Sequence, residues 1–361
     1  MKPTQALHEA GQSIWLDNIT RALLDKGILD RYIADYAVTG LTSNPTILDK
    51  AIKDGTDYDT DLTARKTAGA SDEEVLFGLA LADLRRAADK FAPIHARTDG
   101  VDGWVSLEVS PLLAYDTRST IGEASALYRK GARGNLFIKI PGTAEGLPAI
   151  EECISSGIPV NVTLLFSAEH YRAAAEAYMR GVERRVRTGL NPAVPSVASL
   201  FVSRWDRAVA GRVADDLRNR LGISVARQVY RAYREVLDSP RWGRLANEGA
   251  RAQRLLWAST STKDPGASDV LYVNALAAPF TINTMPDQTL EAFADHGTVG
   301  ELLPADGGDA DDVIVAFAKA GIDTRTLAAE LQRQGAEAFA ASWKDLLARI
   351  GSRHEELSRA G

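Results

Sequence analysis

Asn135-Leu-Phe-Ile-Lys-Ile-Pro-Gly-Thr143 reads as a short β-strand stopped by a Pro-Gly turn, with a lysine near its C-terminal end. Side chains alternate along a strand, so Leu136, Ile138 and Ile140 share one face while Asn135, Phe137 and Lys139 share the other. One face is apolar throughout and the other mixes apolar with polar groups. A strand in a closed barrel has this pattern, because one face packs against outer helices and the other looks into the interior.

Working outward, short apolar or β-branched runs recur at 13–18, 36–42, 104–109, 135–140, 159–165, 196–202, 255–260 and 270–276. Between them lie stretches with helical spacing of apolar residues, such as 72–91, 168–187 and 204–221. Strands alternating with crossover helices indicate an α/β fold with a parallel sheet, and eight such strands are the number a (β/α)8 TIM barrel needs. The segment 45–103, between the second and third strands, holds more than one additional helix, and the tail after Pro286 reads as further helices. No compositional break, linker or repeat divides the chain, so residues 1–361 are expected to form one domain.

Composition narrows the function classes. Of 361 residues, 45% are hydrophobic, enough for a large core, and the formal net charge of −6 argues against a nucleic-acid partner. The arginine-rich stretch 172–234 is interleaved with Glu176, Glu183, Asp206, Asp215, Asp216 and Glu235, which suits ion pairing within solvated helices. A single cysteine, Cys153, excludes an internal disulfide, and the five histidines are scattered without metal-ligand spacing. Neither Gly-x-Gly-x-x-Gly after a strand nor a phosphate-binding loop ending in Lys-Ser or Lys-Thr is present, so no metal and no cofactor is expected. With no signal-like or membrane-spanning segment in the sequence, a cytoplasmic protein without a membrane partner is expected.

Reading the other strands by parity gathers polar residues at one end of the barrel. Ser106 and Glu108 oppose Val105 and Leu107, and Asn161 and Thr163 oppose Val160, Val162 and Leu164. Asp17 ends the first strand, while Thr42 and Asn44 follow the second. The C-terminal end of the strands is where barrel enzymes carry their catalytic groups. A lysine desolvated there, unless paired, favours its neutral amine, a nucleophile toward carbonyl groups. The residues alone leave other readings open: Lys139 as a structural partner of Glu108, Asp17 as a helix N-cap, Asn44 as a turn former, and Asn161 and Thr163 as partners of nearby backbone.

The chain resembles the transaldolases along nearly its whole length. The segments carrying the likeness follow in order: Trp15-Leu-Asp-Asn-Ile, Gly40-Leu-Thr-Ser-Asn-Pro-Thr, Val105-Ser-Leu-Glu-Val-Ser, Phe137-Ile-Lys-Ile-Pro-Gly-Thr, Val160-Asn-Val-Thr-Leu-Leu-Phe-Ser, Ser199-Leu-Phe-Val-Ser-Arg, Tyr272-Val-Asn-Ala-Leu and Thr284-Met-Pro-Asp-Gln-Thr-Leu. The resemblance implies a Schiff-base enzyme that moves a dihydroxyacetone unit between sugar phosphates, with Lys139 as nucleophile and Asp17 as acid/base. It implies that Glu108 and Thr163 hold and activate a water, that Asn44 and Asn161 bind donor hydroxyls, and that Ser199 and Arg204 bind phosphate beside Phe201. A monomer or homodimer is also implied.

One departure is visible. Where many transaldolases have a second phosphate-binding arginine, this chain has Ser261. If the strand stays extended through Leu256-Trp-Ala-Ser-Thr-Ser-Thr-Lys, Ser259, Ser261 and Lys263 share a face, and Lys263 supplies the missing charge. Two competing functions remain at this level: an aldolase that releases free dihydroxyacetone, and a sugar-phosphate binder without catalysis.

Overall fold

Every strand of the structure, a computed structural model that describes residues 1–43 and 45–360, runs parallel to its neighbours. Among the described residues eight strands close a barrel in chain order: β1 (Ser13–Leu16), β2 (Val38–Thr42), β3 (Trp104–Glu108), β4 (Leu136–Pro141), β5 (Val160–Leu165), β6 (Ser196–Phe201), β7 (Gln253–Ala258) and β8 (Thr281–Met285). The fold is the (β/α)8 barrel expected from the sequence. All eight strands are buried along their full length, so the polar residues that alternate with apolar ones on β3, β4 and β5 lie in the interior too.

Seven strands fall where the sequence pattern puts them, within a few residues, and the eighth does not. The expected strand at 270–276 is a short helix, Leu271–Ala275, and β8 lies downstream at Thr281–Met285. Val270-Leu-Tyr-Val-Asn-Ala-Leu is apolar enough to pass for a strand. In the helix its Tyr272 hydroxyl donates to the buried Asp206 carboxylate at 2.9 Å. The real strand is masked by its polar Thr281, Asn283 and Thr284, whose hydroxyls and amide oxygen make hydrogen bonds inside the protein. The expected helix 204–221 is also interrupted: a helix at Ser203–Val209 ends before Gly211, whose φ of 72° suits glycine, and a new helix runs Leu221–Leu237.

The insertion before β3 forms helices Pro45–Asp54, Asp59–Thr67 and Asp72–Arg97. Ser71 and Glu74 make a reciprocal capping box that starts the last of these. Arginines of the 172–234 stretch pair mostly between helices rather than within them, as in Arg172 with Glu235 and Arg184 with Glu152. Arg180 with Glu176 is an intrahelical pair of the expected kind.

The N-terminal end of the barrel is plugged by a polar knot under an aromatic layer. Asp102 accepts from the Ser13 hydroxyl and from the Trp15 indole at 2.8 Å, and the Arg254 guanidinium lies 3.9 Å from the same carboxylate. Arg254 also donates to Ser13 at 2.6 Å and to the carbonyls of Val101 and Thr281. Phe137 packs between Trp104, at 4.2 Å between ring centroids, and Trp15, at 6.1 Å. Gly40 makes room for this layer, since a Cβ there would meet the Trp15 indole at 2.7 Å.

The C-terminal helix Thr324–Ala360 crosses the opposite end. Its Gln332 amide donates to the carbonyls of Gly142 and Leu164, each at 3.0 Å, which ties the helix to the ends of β4 and β5. The two ends therefore have different work, structural at the floor and open at the top. Replacing Asp102 by Ala strands Arg254 and two donors in the interior and should lower the unfolding free energy by about 3–5 kcal/mol in urea titration.

Candidate active site

Strand register brings the chemistry together before any side chain is considered. Glu108 on β3 is paired with Lys139 on β4, and Lys139 with Asn161 on β5, so three polar side chains stand side by side. Lys139 is only 9% exposed and Glu108 only 3%. The ammonium donates to the Ser43 carbonyl at 3.1 Å and meets Glu108 Oε2 at 3.5 Å. Burial pushes the Glu108 carboxyl up from its usual range and the adjacent Lys139 charge opposes that shift. A carboxyl tuned upward in this way holds a proton more readily than an exposed glutamate and can return it.

Beneath the lysine a hydrogen-bonded chain crosses the barrel. Asn161 donates to Ser106 at 3.3 Å and accepts from Ser199 at 2.7 Å, linking β3, β5 and β6. Asp17, just past β1, accepts from the Thr42 hydroxyl at 2.9 Å. The capping alternative for Asp17 falls, because Thr20 caps the next helix by accepting from the Leu23 amide. Two buried oxygens, Glu108 Oε1 and Thr163 Oγ1, have no hydrogen-bond partner among the described residues. Buried polar atoms are rarely left so, and both line the same cavity as the Lys139 amine.

That cavity, about 230 Å³, is lined by Asp17, Glu108, Lys139, Asn161, Thr163, Ser199, Phe201, Arg204, Ser261 and Lys263, which the sequence had singled out. Asn44 lies outside the described residues. Arg204 is half-buried at the mouth, and its guanidinium sits over the Phe201 ring at 5.0 Å and the Phe339 ring at 5.6 Å. Its helix is fixed by Asp206, which accepts from the Leu221 and Gly222 amides and from Tyr272. Burial raises the Asp206 carboxyl while these bonds hold it down.

The premise for Lys263, an extended strand through Ser261, does not hold. β7 ends at Ala258 and Ser259 turns into the left-handed region at φ 56°, so the strand is not extended to Lys263. Lys263 nevertheless lines the cavity from the exposed side, and Ser261 accepts from Thr289 at 3.3 Å. β5 bends in the same way, with Leu164 at φ 59° where its register with β6 shifts. Non-glycine residues with positive φ at both strand ends are strained positions of the kind that gather at functional sites.

Sequence reading missed Ser43, Thr284 and Phe339. Ser43 acts through its backbone carbonyl, which no side-chain pattern reveals. Thr284, which contacts Thr42 at 3.3 Å, sits on the misplaced eighth strand. Phe339 arrives on the C-terminal helix, far from any barrel strand in the chain. Among the described residues no cluster of three metal-ligating side chains occurs, and no helix is long and apolar enough to cross a membrane.

Residues 14–350 match the family model described as transaldolase/fructose-6-phosphate aldolase. The chain is 45% identical to the transaldolase of Arthrobacter sp. (strain FB24) over 354 residues, covering 96% of this chain and 95% of that one. It is 46% identical to the transaldolase of Acidothermus cellulolyticus over 356 residues, covering 96% of each. To that of Thermobifida fusca it is 45% identical over 357 residues, covering 96% of this chain and 97% of the relative.

Proposed function

The chain belongs to the transaldolase/fructose-6-phosphate aldolase family and is an enzyme of the transaldolase type; we propose that it transfers dihydroxyacetone units through a Schiff base on Lys139. The observation that carries this is the buried amine facing a cavity with two unpartnered oxygens on one side and a guanidinium at the mouth. The Lys139 amine adds to C2 of fructose 6-phosphate or sedoheptulose 7-phosphate, and loss of water leaves a protonated imine. Glu108 and Thr163 hold the water that leaves and later returns, with Glu108 carrying the proton. Asp17 takes the proton of the C4 hydroxyl, the C3–C4 bond breaks, and its electron pair enters the imine to give an enamine.

The aldose phosphate leaves. The enamine carbon then adds to the aldehyde of glyceraldehyde 3-phosphate or erythrose 4-phosphate, and hydrolysis of the new imine frees the product ketose and Lys139. Asn161 and Asn44 bind donor hydroxyls, while Ser199, Arg204, Ser261 and Lys263 form the phosphate end with Phe201 as its wall. Ser199 reaches this role only by sharing its hydroxyl with Asn161. Transfer is favoured over release of dihydroxyacetone because the relatives matched over nearly their full length carry the name transaldolase. The whole chain acts as one barrel unit in the cytoplasmic non-oxidative pentose phosphate pathway, as a monomer or homodimer.

With fructose 6-phosphate and erythrose 4-phosphate the protein should form sedoheptulose 7-phosphate, and Lys139→Ala should abolish the product in a coupled assay. Free dihydroxyacetone at every turnover without acceptor would convert the reading to an aldolase, and binding without turnover would leave a binder. Arg204→Met should raise KM for fructose 6-phosphate about 10- to 100-fold, the loss of charge-assisted hydrogen bonds. The exposed Lys263→Met should raise it less, about 3- to 10-fold. An unchanged KM in Lys263→Met beside a large rise in Arg204→Met would remove Lys263 from the phosphate site.

A further inference from the structure

The C-terminal helix Thr324–Ala360 does more than cover the barrel. Its Phe339 ring lies 5.6 Å from the Arg204 guanidinium carbon, with the Phe201 ring on another side at 5.0 Å. The two rings are 6.2 Å apart at 62° to one another, so they form a corner into which the guanidinium fits. One turn earlier on the same helix, Gly335 is as close as the helix can come: a Cβ there would meet Arg204 Nη1 at 3.0 Å and Leu164 Cδ2 at 2.9 Å. Gln332, three residues before that, fixes the helix to the ends of β4 and β5. Gln332, Gly335 and Phe339 follow i, i+3, i+7 spacing and so share one face of the helix, turned to the cavity.

Arg204 has no ion-pair partner within 4 Å among the described residues, and burial lowers the cost of giving up its charge. Its orientation therefore depends on the aromatic faces, which attract a cation without saturating its N–H donors. A carboxylate in the same place would orient the guanidinium too, but would compete with an anionic substrate for it.

We propose that Phe339 is a positioning residue for the substrate phosphate: with Phe201 it holds the Arg204 guanidinium in a two-ring corner with its donors aimed into the cavity, and so sets the preference for phosphorylated over unphosphorylated sugars. The proposal rests on Arg204 being the phosphate ligand of the transaldolase reading. It assigns substrate discrimination to a helix that contributes no group to the bond-making steps.

Phe339→Leu keeps apolar bulk and removes the π face, whereas Phe339→Tyr keeps the π face. Both are assayed beside the parent protein with fructose 6-phosphate and with unphosphorylated fructose as donors, and thermal unfolding is recorded for each. Phe339→Leu should raise KM for fructose 6-phosphate about 3- to 30-fold while kcat stays within about twofold, and Phe339→Tyr should restore KM. The loss with fructose in Phe339→Leu should be clearly smaller than the loss with fructose 6-phosphate. Equal losses on the two donors, an unchanged KM in a folded Phe339→Leu, or failure of Phe339→Tyr to restore it would each overturn the proposal. Arg204→Met in the parent background separates the two levels: if it leaves KM unaltered, the phosphate assignment itself is wrong, whatever Phe339 does.

Discussion

An ammonium group withdrawn from water must be compensated, and in this protein the compensation of Lys139 organises the upper half of the barrel. At 9% exposure the amine has a carbonyl from Ser43 and one carboxylate oxygen of Glu108 at the long distance of 3.5 Å. A tighter pair would stabilise the charge and bury the nucleophile; a looser one would leave the lysine unpaired at a cost of several kcal/mol. The register of β3, β4 and β5 sets this intermediate geometry, because Glu108, Lys139 and Asn161 are direct neighbours across the strands. The carboxyl, raised by burial and restrained by the lysine, is then suited to pass protons rather than only to neutralise a charge.

Such a site is costly to stability, and the opposite end of the barrel is built without that compromise. There Asp102 accepts from Ser13 and Trp15, and Arg254 donates to Ser13, beneath the ring layer of Trp15, Trp104 and Phe137. The floor can be rigid because nothing has to enter. At the top, unpartnered oxygens on Glu108 and Thr163, strained turns at Leu164 and Ser259, and a helix clamped by Gln332 leave room for a ligand while limiting motion around it. The cavity is thus framed by strands from every part of the chain and roofed by its last helix.

Much of this was legible in the sequence because a barrel strand reports on its own orientation. Alternation in Leu136 to Ile140 and in Val105 to Glu108 separates interior from exterior, and the structure places Glu108, Lys139, Asn161 and Thr163 around one cavity as that parity requires. Parity stops working where the backbone turns, which is why the extended path assumed for Lys263 fails at Ser259. The eighth strand was hidden by composition: Thr281-Ile-Asn-Thr-Met is polar because its side chains pair within the interior, while the apolar 270–276 is helical. Phe339 was illegible for a different reason, since its importance comes from a crossing that only the tertiary fold creates.

The central claim, that Lys139 is the covalent nucleophile, is tested most directly by trapping. The protein is incubated with fructose 6-phosphate, reduced with borohydride, digested and mapped by mass spectrometry, with an untreated control. The account predicts one dihydroxyacetone-sized adduct, on the peptide containing Lys139, which lies beside the unpartnered oxygens of Glu108 and Thr163. An adduct on another lysine, or turnover with no reducible adduct, would contradict it.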